Sequence, residues 1–130
     1  MEQYKSLRQI CDNLRISRRA IQGYEKAGLI VPSSRNKYGH LLYDEETVKR
    51  IALIHFYQKT GLSVKEISEL SKMDNVQMSK ILARQLSNLS NKKEELTALE
   101  QQLEKIIELL NAQDVHNHMN TIYEIIKEES

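Results

Sequence analysis

The sequence predicts a mainly α-helical protein with a small β-ribbon in its first half and one long helix in its second half. Apolar residues recur at steps of three and four through most of the chain, the spacing of amphipathic helices. Gly28, Pro32 and Gly39 lie close together and indicate a non-helical region at about 29–43. Beyond residue 82, leucines follow a heptad-like spacing, which is typical of a coiled coil.

Composition narrows the class of protein. A chain of 130 residues with 40% hydrophobic and 28% charged residues can form one core domain with an appendage. There is no apolar run of the roughly 20 residues that a membrane span needs, and no secretory signal. The single cysteine, Cys11, excludes an internal disulfide and suits a reducing compartment. We therefore expect a cytoplasmic protein with no membrane partner.

Charge is distributed unevenly along the chain. Residues 1–43 carry eight basic and three acidic side chains, whereas residues 73–130 carry six basic and ten acidic ones. A cationic front third favours contact with a polyanion, and an acidic back half favours a different role.

The first third predicts a helix-turn-helix followed by a ribbon. Apolar residues on one face predict a helix over 5–13, and Ser17 is a suitable N-cap for a second helix that ends at Gly28. Two short helices joined by a short turn form a helix-turn-helix. Leu29–Val31 and His40–Tyr43 then read as two strands around a polar loop, which would be a wing.

Two capped helices are predicted next. Asp44 caps a helix of about 45–59, whose inward residues are expected to be Val48, Ile51, Ala52, Ile54 and His55 or Phe56. Ser63 caps a short helix and has Glu66 at the capping-box position.

The second half predicts a dimerisation helix. Its apolar seam slips once in phase near residue 93, and a stripe of this length is too long for a monomer of this size to cover. The predicted dimerisation residues are Leu82, Leu86, Leu89, Leu96, Leu99, Leu103, Ile106 and Leu110.

A short terminal helix is expected to turn back onto the dimer. Asp114 would cap it, and its stripe would be Val115, Met119, Ile122 and Ile126. The predicted domains are therefore a winged helix-turn-helix at 1–72, a coiled-coil helix at 73–112 and a C-terminal helix at 113–130.

Residues 6–71 resemble the DNA-binding domain of the MerR family, through the blocks "YEKAGLI", "LYDEETVKRI" and "GLSVKEISEL" in this order. The resemblance implies an antiparallel coiled coil over residues 75–111 and a homodimeric transcription regulator. It further implies binding of a near-palindromic site in double-stranded DNA, with promoter distortion that lets RNA polymerase engage.

The basic residues of the second helix and the wing are the candidate DNA contacts. The first turn of a helix in the major groove reaches the bases, where Arg18 and Arg19 can pair with guanine and Gln22 with adenine. Phosphate contacts are expected from Tyr24, Lys26, Arg35 and Lys37. The candidate DNA-binding residues are Ser17, Arg18, Arg19, Gln22, Tyr24, Lys26, Arg35, Lys37, Tyr38 and His40.

Three stretches depart from the family pattern. Gln22–Glu25 reads Gln-Gly-Tyr-Glu where Arg-Tyr-Tyr-Glu is common, and Gly39–Leu41 reads Gly-His-Leu where Gly-Tyr-Arg is usual. Arg15 stands where the turn often has glycine. The first two departures remove expected phosphate partners.

Other reactive side chains have structural explanations. We expect Cys11 to be a buried thiol, Tyr43 to lie in the ribbon core, Glu25 to form an ion pair, and His116 and His118 to be solvated. The metal-sensing members of the family carry cysteines at both ends of the long helix, and this chain has none there. Neither a metal nor another cofactor is therefore expected.

A sequence-specific transcription regulator is the leading hypothesis, and no enzyme motif competes with it. One alternative is an architectural or partner-recruiting DNA tether, whose binding would depend on salt but hardly on sequence. Another is a regulator with a small-molecule effector in an apolar pocket at the dimer interface. That pocket would be lined by Met73, Met78, Met119, Ile122, Tyr123 and Ile126.

Overall fold

The computed structural model describes residues 4–112 and 118–128, which form two compact units. The first unit ends at Gln85 and the second begins at Leu86, so the boundary falls inside the long helix. We call the first unit the head and the second the tail. None of the helices in the described ranges combines the length and apolarity needed to cross a bilayer.

The head contains a helix-turn-helix, a small sheet and two further helices. In chain order its elements are β1 (Lys5–Ser6), α1 (Leu7–Leu14), α2 (Arg18–Lys26), β2 (Ser34–Arg35), β3 (Leu41–Tyr43), α3 (Glu45–Lys59) and α4 (Val64–Leu70). The long helix α5 (Asn75–Asn111) begins in the head, and α6 (His118–Lys127) lies in the tail.

The predicted helix starts agree with the structure. The side chains of Ser17, Asp44 and Ser63 accept hydrogen bonds from the backbone N–H groups three residues later, and Ser63 forms the predicted capping box with Glu66. A second capping box, between Ser6 and Gln9, starts α1 at Leu7 rather than at residue 5. Each cap satisfies an N–H that the helix itself cannot pair.

The predicted first wing strand is wrong. Leu29–Val31 forms no strand, because the N–H of Leu29 donates to the carbonyl of Tyr24 at the end of α2 and Pro32 has no N–H to donate. The strand is instead the polar pair Ser34–Arg35, which pairs antiparallel with β3. Lys5–Ser6 adds a third strand that the sequence analysis missed, giving the order β1-β3-β2.

Three helices of the head end in the same way. After α2 and α3, Gly28 and Gly61 adopt φ values of 78° and 104°, and the next N–H bonds back to a carbonyl in the last turn. After α1 the equivalent residue is Arg15, at φ 54°. The turn of the helix-turn-helix therefore places a non-glycine residue in a left-handed conformation.

The core of the head joins the helix-turn-helix to α3 and α4. Partly buried side chains around it include Cys11, Val48, Tyr57 and Leu82. Of the two alternatives His55 and Phe56, His55 is half-buried and Phe56 is 55% exposed, and Tyr57 packs against the core. The buried apolar residues are Ile10, Ile16, Ile21, Tyr24, Ile30, Tyr43, Ile51, Ile54, Leu62, Ile67 and Leu70.

The tail consists of the distal part of α5 and the terminal helix α6. The Gln102 side chain donates to the carbonyl of Ile126 at 3.3 Å, and Lys105 pairs with Glu128 at 3.6 Å. The half-buried residues of α6 are His118, Ile122 and Ile125, whereas Met119 and Ile126 of the predicted stripe are exposed in this single chain. The predicted cap Asp114 and the stripe residue Val115 lie outside the described residues.

Candidate nucleic-acid interface

Helix α2 has one buried face and one exposed cationic face. Ile21 and Tyr24 are 0% and 1% exposed, and they fix the helix in the core. Four predicted DNA-contacting side chains lie on the exposed side of α2: Arg18, Arg19, Gln22 and Lys26. The structure therefore brings these four residues together on one surface, with three positive charges.

The start of α2 is held by its cap. The Ser17 hydroxyl accepts from the N–H of Ala20 at 3.0 Å, so Arg18 and Arg19 lie in the first turn of a well-anchored helix. The first turn of such a helix carries partial positive charge from unpaired N–H groups, which adds to the two guanidinium groups. This end of α2 suits the contact of Arg side chains with guanine edges and of the backbone with phosphate.

The wing is a tight hairpin built on Asn36. Its side-chain oxygen accepts from the N–H groups of Tyr38 at 2.9 Å and His40 at 3.0 Å, and Gly39 supplies the positive φ of 81° that the turn requires. Arg35 donates one guanidinium N–H to the Gly39 carbonyl at 2.8 Å. Since guanidinium has five N–H donors, this bond orients Arg35 and leaves donors for a phosphate.

The wing tip collects the remaining predicted contacts. The Lys37 ammonium lies 5.1 Å from the centre of the Tyr38 ring, and the Tyr38 and His40 rings are 6.3 Å apart. Tyr38 is 72% exposed, so its ring is available for contact. The tip therefore presents a cation and two rings on a hairpin with a defined turn.

Tyr24 does not lie where a phosphate contact requires. Its ring is buried, and its hydroxyl donates to the side-chain oxygen of Gln58 in α3 at 2.5 Å. Burial raises the pKa of Tyr24 above its ordinary value. Tyr24 follows Ile21 by three residues, and this helical spacing places both side chains on the apolar face of α2.

Glu25 and Tyr43 form a polar pair beside the core. Tyr43 is fully buried, as predicted, and its hydroxyl donates to the Glu25 carboxylate. Burial, and after it the hydrogen bond with Glu25, raise the pKa of Tyr43 well above its usual range. The prediction of an ion pair for Glu25 is wrong, since its partner is a hydroxyl group.

The histidine and cysteine predictions have mixed outcomes. Cys11 was predicted to be a buried structural thiol, and it is half-buried against the core. His118 is not solvated as predicted, because its Nδ1 is buried and makes no hydrogen bond within the described residues. His116 lies outside those residues. No group of three or more potential metal ligands occurs in the part of the chain that the structure describes.

The predicted dimerisation seam divides into two sets. Leu82 packs against the core of the head, and Ile106 is half-buried on the same side of α5 as Gln102. Ile107, which the sequence analysis did not select, is 55% exposed. The exposed large apolar residues of α5 from Leu86 onward are Leu86, Leu89, Leu96, Leu99, Leu103, Ile107 and Leu110.

The residues of the predicted effector pocket also divide. Met73 and Met78 line a cleft of about 580 Å³ in the head, together with Leu53 and Tyr57. Met119, Tyr123 and Ile126 are exposed on α6 in the tail, and Ile122 is half-buried there.

A helix-turn-helix whose second helix exposes a cationic face beside a basic wing defines a winged helix-turn-helix DNA-binding protein. Comparison with known proteins identifies the family within this class. The family profile described as "MerR HTH family regulatory protein" matches residues 5–74, and the profile "MerR, DNA binding" matches residues 48–106. The chain belongs to the MerR family of DNA-binding transcription regulators, and it is accordingly not an enzyme.

Individual relatives agree with this assignment. The chain is similar to the HTH-type transcriptional regulator CueR of Vibrio cholerae, with 30% identity over 108 residues that cover 78% of each chain. It is also 31% identical over 62 residues to the mercuric resistance operon regulatory protein of Bacillus cereus. That match covers 48% of this chain and 47% of the relative, so the chain matches about half of that protein's length.

Solved structures share the fold. The structure of HiNmlR, a MerR family regulator lacking the sensor domain and bound to promoter DNA, matches with a TM-score of 0.71 at 20% identity. The match covers 82% of this chain and 85% of that one. At this identity the likeness concerns the fold alone, and it agrees with the predicted mainly helical, winged helix-turn-helix class.

Proposed function

We propose that the protein is a sequence-specific homodimeric regulator that reads two halves of a near-palindromic promoter site. In each half, α2 enters the major groove, where Arg18 and Arg19 pair with guanine and Gln22 pairs with adenine. The wing residues Arg35 and Lys37 contact phosphate, which positions the protein without specifying sequence. The observation that carries this proposal is the exposed cationic face of α2, opposite a face locked in the core.

Dimerisation through α5 follows from its exposed apolar residues. Leu96, Leu99, Leu103 and Leu110 are each more than half exposed on one helix. Burial against a second copy removes this surface from water, at about 25 cal/mol for each Å² of apolar area. The family resemblance supports the antiparallel arrangement, in which the two heads lie at opposite ends of the coil.

The regulatory step is deformation of the promoter, which lets RNA polymerase engage. Bending a binding site costs on the order of 1–6 kcal/mol, and additional backbone contacts offset that cost. The basic wing supplies such contacts. The resemblance to the MerR family implies this step, and a structural neighbour of the chain is a MerR family regulator bound to promoter DNA.

The first experiment is selection of bound sequences from a random duplex library with the full chain. We expect an inverted repeat, since a two-fold symmetric dimer binds two equivalent half-sites. Recovery of sequences without any common motif would contradict sequence-specific reading and favour a general DNA tether.

Substitutions then test the assigned recognition residues. Arg18→Ala and Arg19→Ala should each weaken binding to the selected site by about 1–3 kcal/mol and relax base preference at one position. Lys37→Ala should weaken all duplexes alike and reduce the salt slope by about 1. Lys65→Ala, which removes an exposed cation from α4, is the control. Unchanged selectivity in both Arg variants would reject α2 as the recognition helix.

A further inference from the structure

Gln85 is the one buried polar residue in the described part of the chain, at 7% exposure. It lies in the third turn of α5, and its side-chain amide donates to the carbonyl oxygen of Thr60 at 2.8 Å. Thr60 directly follows α3, where the last carbonyl groups of a helix have no partner within the helix. Gln85 therefore bonds the base of α5 to the end of α3.

Arg84 extends this bond to α4. Its Nε donates to the side-chain oxygen of Gln85 at 3.3 Å, and its Nη2 donates to the Glu66 carboxylate at 2.9 Å. The other carboxylate oxygen of Glu66 accepts from the N–H of Ser63, the N-cap of α4. The Ser63 bonds and Arg84 lower the pKa of Glu66 below its ordinary value. We call Thr60, Glu66, Arg84 and Gln85 the clamp.

Space for the clamp depends on Gly61. A Cβ added at Gly61 would lie 3.1 Å from the Gln85 amide nitrogen, which is closer than most contacts that Cβ atoms make in proteins. A positive φ of 104° also favours glycine at this position. The α3–α4 turn and the Gln85 side chain thus fit each other at close range.

Apolar contacts and hydrogen bonds together hold the start of α5 against the head, and the hydrogen bonds have the stricter geometry. Met78, Ile81 and Leu82 supply the apolar contacts with the head core, and apolar burial is non-directional. Hydrogen bonds have preferred distances and angles, and those of the clamp hold α5 to two different helices. The clamp lies at the last residues of the head, next to the boundary of the two units inside α5.

We propose that the clamp is a positioning device that sets which half-site spacing the dimer accepts. This inference rests on the proposed function, because it requires two heads joined through α5. In such a dimer, the direction of each α5 relative to its head determines how far apart the two recognition helices lie. A head that rocks on α5 accepts several spacings, and a clamped head accepts one.

The test compares operators whose half-sites are moved apart or together by single base pairs. Gln85→Leu keeps a side chain of similar size but removes the amide donor. We expect the preference for the best spacing over its neighbours to fall by about tenfold. A change of this size corresponds to the loss of one buried hydrogen bond. Affinity for a duplex with one half-site should stay within about twofold of the unsubstituted protein.

A charge exchange provides a second test at the surface, where folding is less at risk. Arg84→Glu and Glu66→Arg should each reduce spacing preference by about threefold, and the double variant should restore it. Lys65→Glu makes the same charge change at an exposed position of α4 outside the clamp and should have no effect. This pair keeps the proposal testable if Gln85→Leu yields little folded protein.

The outcomes separate the two proposals. An unsubstituted protein that prefers one spacing, with variants that keep the same preference, would overturn the positioning role and leave the proposed function intact. Loss of one-half-site and full-site affinity in equal measure would also overturn it, since that marks general destabilisation of the head. An unsubstituted protein without any spacing preference would overturn the proposed function and the clamp together.

Discussion

The head and the tail differ in how their apolar residues are covered. The head has eleven buried apolar residues and closes its core with its own elements. In the tail, none of the described residues 86–112 and 118–128 is buried, although leucine and isoleucine recur along α5. An amphipathic surface that its own chain leaves exposed marks an interaction site. The head therefore covers its core with its own elements, whereas the exposed apolar residues of the tail suit the dimerisation proposed above.

The head and the tail therefore differ in what contributes to their free energy of unfolding. Stability of the head depends on burial and on local polar pairs, and it is independent of protein concentration. With the proposed dimerisation, stability of the tail is linked to association and should rise with the concentration of the chain. Substitutions in one unit should leave the other unit's behaviour unchanged, and the following predictions test that separation.

The largest effect is expected in the tail from Leu99→Asp. It places a charge in the proposed apolar seam twice in each dimer, and burial of each leucine contributes about 1.5–3 kcal/mol. We expect the dimer dissociation constant to rise by more than about a hundredfold, measured by sedimentation equilibrium. Urea unfolding of the head should be unchanged.

The matched control is Gln101→Asp. It introduces the same charge two residues later, on a different side of α5. Association should then be nearly unchanged. If both variants dissociate alike, net charge rather than the seam controls association, and the comparison of a complete head with an incomplete tail loses its main support.

Local rules explain most of what the sequence predicted correctly. The N-caps at Ser17, Asp44 and Ser63 depend on a side chain and an N–H three residues apart. The exposed cationic face of α2 likewise follows from helical spacing. Contacts over short separations can be read from the sequence because few alternative partners compete.

The missed features depend on residues far apart in the chain. The strand Lys5–Ser6 exists because it pairs with Leu42 and Tyr43, and no local signal marks a strand of two residues. Gln85 has its partner 25 residues away, so its burial had no signature in the α5 pattern. Ile106 is half-buried and Ile107 is exposed, and the sequence does not show which side of α5 meets α6.

An intermediate effect is expected in the head from Tyr43→Phe. The variant leaves the Glu25 carboxylate without the hydroxyl that donates to it, at a cost of about 1–2 kcal/mol in the free energy of unfolding near pH 7. Urea unfolding measures it, and the dimer dissociation constant should stay unchanged. Tyr38→Phe on the exposed wing is the control and should have no effect on stability.

The same variant carries a pH dependence whose sign is fixed. Burial and the Glu25 bond raise the pKa of Tyr43 above its ordinary value of 10.0. A group with a raised pKa in the folded state stabilises fully below its unfolded pKa and loses that contribution as the pH rises above it. Unsubstituted protein should therefore lose stability above about pH 10 more steeply than Tyr43→Phe. Equal slopes would contradict the assigned environment of Tyr43.

The smallest effect is expected at the turn of the helix-turn-helix, where Arg15→Gly should stabilise the head. Arg15 has φ 54° and an exposed side chain, whereas glycine occupies the equivalent position after α2 and α3. Relief of the left-handed strain exceeds the backbone entropy that glycine loses, for a net gain of about 0.5–1 kcal/mol. Arg15→Ala removes the same charge but keeps the Cβ, so it should give no such gain. Equal stabilisation by both variants would trace the effect to charge, and a change in dimerisation by either would show that head and tail are coupled.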